Sequence, residues 1–510
     1  MTDLTHSHHS RVTRSIRIND GIVAGVLVAL LLFAPLFRSG QPPLAVLVLE
    51  LLALALLVAA LWRGPRGLVS TREWLILSLL VVLPAIFLIP LPASLADWLP
   101  GRAIYSTSLS LLGLDAVPIR LSVAPTETEY AILVLLVPIA VFLGTRSLDS
   151  RHIHRLVLVL LGVTVAQSLL GLMQFGGGKD SGLYLGMTFT HFGSAVGTFT
   201  NKNHLAGLIE MVLPITLALL LYSFGRGHGD SRSNWRHRLS FFGSMRGHAA
   251  FLHGAVALLL LIGLVFTQSR AGIALGMLGI LLAIFAFARR IGGDNVYGAA
   301  GTVVVVALGL GIVIGLAPVL DRFTKIDPME DLRWTMASAT IAGIGTFFPL
   351  GSGPGNYAAV FPAFQPIELG RWFVNYAHND YLQWLFEGGL VAGLLMLLIL
   401  VLYLHQWGRV WTHETWSRFR FVQVGAGIGI LLMLLHETLD YNLHMPANMV
   451  YFAFLLGIFF KDADDDLVSV KRRRRQRQTP NLVADDPAPR PATGTVAGPA
   501  ADQIPNPFLG

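Results

Sequence analysis

Long apolar runs alternate with short polar or Gly/Pro-rich segments along most of the chain. A helix needs about 20 predominantly apolar residues to cross a bilayer, and many of these runs approach that length. Because lipid-facing backbone groups must be satisfied within the segment, runs this long and continuous predict helices and not barrel strands. Twelve spanning helices are predicted near residues 21–37, 43–62, 74–90, 128–144, 156–175, 204–223, 250–267, 272–288, 298–320, 384–405, 421–437 and 446–460.

Composition supports the same interpretation. Of the 510 residues, 54% are hydrophobic and only 13% are charged, which predicts an all-α polytopic membrane protein and not a soluble domain. Arg11, Arg14 and Arg17 precede an apolar run longer than a signal-peptide core, so the first helix is expected to stay in the protein. Segment 91–121 could contain a further half-helix. The absence of cysteine excludes disulfides, thiolate catalysis and zinc–thiolate sites.

Basic residues set the predicted orientation. If the N-terminus is cytoplasmic, most of the 37 Lys and Arg residues lie on the inner side, as the positive-inside rule requires. The net charge of +7 then reflects topology and attraction to anionic membrane lipid, and it does not indicate nucleic-acid binding. Residues 1–20 and 461–510 are predicted cytoplasmic tails around a membrane domain of residues 21–460, and the second tail begins basic and ends disordered.

Several polar clusters fall at the external helix ends in this orientation. Segments 197–207 and 267–272 are two of them, and the longest external loop, 321–377, leads into a third at 376–389. That loop is expected to carry short helices. A transporter or flippase, the competing non-enzymatic class, would place ionisable groups near the bilayer midplane along a continuous polar route. The one-sided arrangement favours chemistry at the outer membrane surface.

One predicted helix opens on three polar residues, Lys202, Asn203 and His204. Glu210 follows about two turns further along the same helix and is the main ionisable residue inside a predicted span. We expect Asn203 and His204 to support Lys202, and Glu210 to support Lys202 or His204.

Four motifs occur in order between predicted spans: GTFTNKNHLAG, TQSRAG, PLGSGPGNY and AHNDYLQWLFEGGLVAG. Together they resemble the O-antigen ligase and O-antigen polymerase superfamily of bacterial envelope enzymes, most strongly over residues 163–460. The resemblance implies a helical inner-membrane glycosyltransferase whose active site faces the periplasm. It further implies transfer of a glycan from undecaprenyl diphosphate to an acceptor hydroxyl without a metal or other cofactor. Lipid A-core, a growing polysaccharide and, in related enzymes, a protein remain open as acceptors.

His378 is the candidate catalytic base. Attack of a sugar hydroxyl on an anomeric carbon needs a base near neutral pH, and imidazole has the unperturbed pKa that lies closest. The alternative is a structural histidine at a helix start, since Asn379 or Asp380 could cap the helix that follows. If the helix begins here, Asp380, Gln383 and Glu387 form a polar stripe. Asn379, Asp380 and Gln383 are therefore expected to be supporting groups.

The leaving diphosphate needs cationic donors, and the planar fork of arginine suits phosphate oxygens. Arg270 is the leading candidate, because TQSRAG forms a tight external connection between two spans. An arginine that snorkels to the interface is the alternative. The resemblance implies a second basic residue, and Lys202, Arg322 and Arg333 all remain open for that role. Each of these three could instead order a loop through an ion pair.

Three other patterns are less specific. The GSGPGNY segment, 351–357, lacks a GxxxxGK[ST] sequence and a nucleotide-binding βαβ unit, so a permissive turn is favoured over a phosphate loop. A polar cluster at 436–444 could suggest a metal site, but a capped helix end, sugar contact or polar packing is favoured. External aromatic residues could contact glycan or anchor the interface. They are Trp98, Tyr105, Phe361, Phe364, Trp372, Phe373 and Tyr376.

Overall fold

The structure is a computed structural model. It describes residues 20–62, 69–92, 95, 98–114, 117–184, 193–224, 243–291, 328–371, 373–412 and 416–462. The tails predicted at 1–20 and 461–510 lie almost entirely outside these ranges. So do the predicted span 298–320, the candidate cation Arg322, Trp372 and the Tyr105 side chain.

The described part of the chain is all-α, as predicted. Its main helices are α1 (Asp20–Phe33), α2 (Pro43–Leu61), α3 (Thr71–Ile86), α4 (Ala103–Leu111), α5 (Pro125–Ser147), α6 (Ser150–Gly176), α7 (Lys202–Phe224), α8 (Met245–Phe266), α9 (Arg270–Ile291), α10 (Pro328–Phe347), α11 (Asp380–Trp411), α12 (Arg418–His436) and α13 (Pro446–Phe459). Short helical turns occupy Leu36–Gly40, Gly182–Tyr184, Tyr357–Val360, Phe361–Ala363, Ile367–Leu369 and Asn442–His444. A two-stranded antiparallel pair joins β1 (Pro90–Leu91) to β2 (Ile119–Arg120).

Eleven of the twelve predicted spans coincide with helices, and the twelfth is the undescribed segment 298–320. Within the described ranges, eight helices are long and apolar enough to cross a bilayer, while α1 and α13 are shorter apolar helices. The protein is therefore a multi-pass membrane protein, and the number of twelve spans remains a prediction. The half-helix considered for segment 91–121 corresponds to the nine-residue α4.

Several helices begin at side-chain caps that the sequence supplies. Ser70 and Glu73 form a reciprocal capping box at the start of α3. Asp149, Ser244 and Ser417 each accept a backbone N–H at the start of α6, α8 and α12. These contacts satisfy amide groups that a helix leaves without an intrahelical partner.

Helices α7 and α12 form the centre of the bundle. In α7, 94% of the apolar span is buried within the protein, against 33% in α2 or α8. Glycines allow the two central helices to approach closely. A Cβ added at Gly429 would lie 2.3 Å from the carbonyl oxygen of Met211, and one at Gly425 would lie 2.8 Å from the Cα of Ile215. This packing positions α7, whose first turn carries Lys202 and Asn203.

The segment predicted as a loop with short helices, 321–377, contains the 20-residue helix α10. The prediction missed its length because the helix begins with charged residues and continues with Ala, Ser, Thr and Gly, without a long apolar run. A second apolar core joins α10 to the start of α11 through residues such as Met336, Phe361 and Phe386. The segment is therefore folded against the helix that follows His378.

The GSGPG sequence packs its backbone into a break in α11. Gly389 has a φ of +55° inside that helix, and Leu390 N–H donates to the carbonyl of Pro349 at 2.8 Å. Gly351 has a φ of +84°, and a Cβ there would lie 2.3 Å from the carbonyl oxygen of Glu387. The permissive turn predicted for this sequence thus serves close backbone contact with α11.

Candidate active site

His378 lies directly before α11 in an unusual backbone conformation. Its φ of +50° falls in the left-handed region, which residues other than glycine seldom occupy. The next residue, Asn379, caps α11 by accepting the Leu382 N–H at 3.0 Å, and its side-chain amide donates to the carbonyl of Thr438 at 2.9 Å. The segment between α12 and α13 is thereby held beside His378.

Asp440, in that segment, is fully buried and joins three parts of the protein. Its Oδ1 lies 3.5 Å from His378 Nδ1 and accepts the Tyr441 N–H at 3.0 Å. Its Oδ2 accepts the side-chain amide of Asn203 at 2.5 Å and lies 3.8 Å from Arg333 Nη2. The start of α7, the first turns of α10 and His378 therefore converge on one carboxylate.

Burial and neighbouring groups shift the pKa of Asp440 in opposite directions. Burial alone would raise the pKa of this carboxyl group. The neighbouring His378 imidazole, the Arg333 guanidinium and His204 outweigh burial and hold the pKa of Asp440 well below its usual range. Asp440 is therefore an anion at neutral pH.

Tyr441 packs against both histidines near this carboxylate. Its ring packs edge-to-face with the His378 ring and with the His204 ring, with centroids 4.6 and 4.9 Å apart. It also stacks on the Tyr376 ring, with a centroid distance of 4.4 Å. Burial raises the pKa of Tyr376 to about 12, so its phenol stays neutral. These contacts hold the His378 imidazole between an aromatic ring and a carboxylate.

A cavity of about 130 Å³ opens beside His378. Helix α10 supplies one wall and the chain leading to α11 supplies the other. Since Asp440 lies on the Nδ1 side of the imidazole, Nε2 is the ring nitrogen available to a bound hydroxyl. The residues that line the cavity are Leu332, Met336, Leu369, Phe373, Val374, Asn375, Tyr376, His378 and Tyr441.

Arg333 spans the gap between α10 and the Asp440 segment. Besides its approach to Asp440, its Nη1 donates to the carbonyl of Leu439 at 3.0 Å. Its side chain is 29% exposed. The ion pair considered for this residue from sequence is thus present, and part of the Arg333 side chain stays exposed.

Arg270 begins α9 beside the first turns of α7. Ser269 caps this helix by accepting the Gly272 N–H at 3.2 Å. A Cβ added at Gly272 would lie 2.6 Å from the Ala206 side chain and 3.0 Å from Glu210 Oε1. The TQSRAG turn therefore packs on the helix that begins with Lys202.

Glu210 has a partner that the sequence did not indicate. Its Oε2 lies 3.1 Å from Nδ1 of His436 at the end of α12, and both side chains are buried. The first-turn residues of α7 point to other contacts: Asn203 reaches Asp440, and His204 packs on Tyr441. Lys202 is also buried, with 7% of its surface exposed.

A second polar cluster lies on the predicted stripe of α11. His444 Nδ1 is 2.8 Å from Asp380 Oδ1, and its Nε2 is 3.1 Å from the side-chain nitrogen of Gln383. Gln383 also donates to Glu387 at 3.3 Å. Glu387 accepts two backbone amides of segment 355–357, at 2.8 and 3.1 Å. The stripe thus ties α11 to the segments on both sides of it.

Residues 255–397 match the O-antigen ligase family. The match supports the O-antigen ligase and polymerase superfamily and, in general terms, a membrane glycosyltransferase of that type. No curated protein matches the chain.

The matched ligase region contains Arg270, Arg333 and His378, whereas Asn203 and Asp440 lie outside it. Sequence reasoning considered Asp440 only within the polar cluster at 436–444 and did not single out Tyr441. The available signal was the position of that cluster on the same predicted face as His378. Within the described ranges, no group of three or more His, Asp or Glu residues could hold a metal ion.

Proposed function

We propose that this ligase-type protein transfers a glycan from an undecaprenyl-diphosphate carrier to an acceptor hydroxyl at the periplasmic face of the inner membrane. One observation carries the proposal: His378 faces a cavity while a buried carboxylate, Asp440, lies on the Nδ1 side of its ring. A histidine held in this way is suited to general-base catalysis on a hydroxyl.

In the proposed step, His378 Nε2 accepts the proton of the acceptor hydroxyl. The acceptor oxygen forms a bond to the anomeric carbon as the bond from that carbon to the diphosphate oxygen breaks. The electron pair leaves with the diphosphate, and Asp440 stabilises the imidazolium, as a carboxylate does in other histidine-based sites. The 3.5 Å separation is long for a hydrogen bond, and such contacts tighten when substrate binds.

Basic residues around this point would bind the diphosphate. Arg333 forms an ion pair with Asp440, and its guanidinium has N–H donors beyond those that meet Asp440 and Leu439. Arg270 and Lys202 occupy neighbouring helix starts and are proposed to contribute further positive charge. Arg322 remains a candidate from the sequence.

The acceptor is proposed to be lipid A-core or a growing polysaccharide. The cavity wall of apolar and aromatic side chains suits the C–H faces of a sugar, with His378 and Asn375 as polar groups. Its volume fits part of a ligand, so the remainder of both substrates would extend into the membrane or the periplasm.

The test is transfer by purified protein supplied with a lipid-diphosphate glycan. His378→Ala should lower the rate by about 10²- to 10⁴-fold at saturating donor, the range for a lost general base, while donor binding persists. His405→Ala, at a histidine near the far end of α11, is the matched control and should leave the rate unchanged. Parallel reactions with lipid A-core or with lipid-linked glycan alone identify the acceptor. Activity of His378→Ala within a few fold of wild type contradicts the proposal.

A further inference from the structure

The backbone around His378 is held from both sides. On its C-terminal side, Asn379 caps α11 and the Asp380 N–H donates to the carbonyl of Glu437 at 3.0 Å. On its N-terminal side, the Ala377 N–H donates to Gln383 Oε1 at 3.0 Å. Since a φ of +50° is unfavourable for histidine, these contacts must maintain the conformation.

The contacts of Gln383 fix which way its amide faces. Its oxygen meets the Ala377 N–H, and its nitrogen meets Glu387 Oε1 and His444 Nε2. A reversed amide would place oxygen against the Glu387 carboxylate and nitrogen against the Ala377 N–H. The hydrogen-bond network therefore selects the orientation in which Gln383 Nε2 donates to its neighbours.

This orientation also selects the state of His444. Because Gln383 Nε2 donates towards His444 Nε2, that ring nitrogen must carry a lone pair. The ring proton is then on Nδ1, which donates to Asp380 Oδ1 at 2.8 Å. Neutral His444 is the form that satisfies both neighbours.

We propose that His444 is a positioning residue that keeps Gln383 oriented to hold Ala377, and so keeps His378 facing Asp440. The inference rests on the proposed function of His378 as the base. Neither the match to the ligase family nor the motif around His378 includes His444, which lies between α12 and α13.

Protonation of His444 should undo this arrangement. An N–H on Nε2 would face the N–H donors of Gln383, so the amide would turn and release Ala377. The charged groups that face His444 are Asp380 and Glu387 of α11. Burial lowers the pKa of His444, but these two carboxyl groups outweigh burial and leave it raised. The release should therefore occur as the pH falls through this raised pKa, at a higher pH than an unperturbed imidazole would require.

Glu437 and Tyr376 complete the surroundings. Glu437 precedes His444 in the segment that follows α12, and burial together with the carboxyl of Asp380 raises its pKa well above the ordinary value. A proton kept on Glu437 lets it donate to Asp380, which leaves Asp380 Oδ1 free to accept from His444. Tyr376 contributes a neutral ring 5.3 Å from that of His444.

Two substitutions at His444 separate its two hydrogen bonds. His444→Gln places an amide oxygen near the position of Nε2, so it should still accept from Gln383 and retain kcat within about threefold. The shorter side chain of His444→Asn reaches only the position of Nδ1, so it should keep the hydrogen bond to Asp380 and lose the one from Gln383. Its kcat should fall about 3- to 10-fold with little change in the KM for donor, the effect of one lost hydrogen bond on a positioned group.

The pH profile supplies a readout that a merely structural role would not change. The acid side of the wild-type kcat profile should contain an ionisation of His444 that the His444→Gln profile lacks. Gln383→Leu should lower kcat like His444→Asn, and the double variant should be no slower than either single variant, since both remove the same link. His152→Asn is the matched control, because His152 forms a comparable 2.7 Å pair with Asp149 at the start of α6.

The inference is overturned if His444→Asn keeps a wild-type kcat and acid limb, or if His444→Gln and His444→Asn lose kcat equally. If His444→Asn fails to fold, as thermal unfolding in detergent would show, Gln383→Leu decides between the outcomes. Full activity of His378→Ala in the same assay would instead contradict the proposed function itself.

Discussion

Replacement of Asp440 by asparagine removes one buried charge with little change in volume. In the proposed mechanism that charge faces the imidazolium formed on His378, at 3.5 Å. At an effective dielectric constant near 20, two unit charges at this distance attract by about 5 kcal/mol. His378 is 20% exposed, so solvent reduces the attraction, and we expect a loss of about 3 to 4 kcal/mol. Transfer by Asp440→Asn should therefore slow by about 10²- to 10³-fold.

The assay is the initial rate of glycan transfer at saturating donor and acceptor, with purified protein. Asp149→Asn is the matched control, since it removes the carboxylate of a partly exposed Asp149–His152 pair at the start of α6 and should leave the rate unchanged. If Asp440→Asn transfers glycan within threefold of wild type while His378→Ala is inactive, Asp440 does not stabilise the imidazolium.

Stability should respond to the same substitution with a defined pH dependence. The folded pKa of Asp440 is lowered, so its stabilising effect is fully present above the unfolded value near 3.9 and is lost only as the pH falls through the lowered pKa. In a His378→Ala background, where the imidazole no longer contributes, the difference in thermal stability caused by Asp440→Asn should therefore stay constant from about pH 5 to 8. A difference that changes steadily across that window would show that Asp440 titrates there.

Other predictions test the diphosphate site, the break in α11 and the topology. In a direct binding assay, Arg270→Lys should retain donor binding better than Arg270→Ala, although both variants should transfer glycan slowly. A normal transfer rate of Arg270→Ala would show that Arg270 takes no part in the mechanism. Gly351→Ala should lower the free energy of unfolding by about 2 to 4 kcal/mol. Gly345→Ala is the control and should not lower it, because a Cβ at Gly345 would meet nothing within 4 Å. Equal thermal stability of the two variants would contradict the packing of Gly351 on α11. Single cysteines at positions 202, 270 and 378 should all be labelled from the periplasm. If any one of them is labelled only from the cytoplasm, the three residues do not belong to one site.

Sequence patterns predicted the helices best where apolar runs are long. The apolar runs in α2, α6 and α11 predicted helices at nearly the observed positions, because a lipid-facing backbone has few alternatives to a helix. The prediction for the region of helix α10 was a loop with short helices, since its Ala, Ser, Thr and Gly residues carry no strong apolar signal. Its stability comes instead from packing on α11, where Gly343 lies against Phe386.

The candidate site could be predicted in part for a similar reason. A local motif pointed to His378, and the polar stripe of Asp380, Gln383 and Glu387 followed from helical spacing. The pairing of His378 with Asp440 and of Glu210 with His436 depends on which helices pack together. Spacing within one helix carries no information about such pairs, so the sequence suggested nearer partners for Glu210.

The convergence on Asp440 has a consequence for biosynthesis. Asn203 and Asp440 are separated by 237 positions, and Arg333 and His378 lie between them. A nascent chain inserted from its N-terminus presents the first of these residues to the membrane long before the last has been translated. The proposed catalytic arrangement can therefore form only after α12 has been inserted, so partly synthesised or truncated chains should lack the proposed transfer activity.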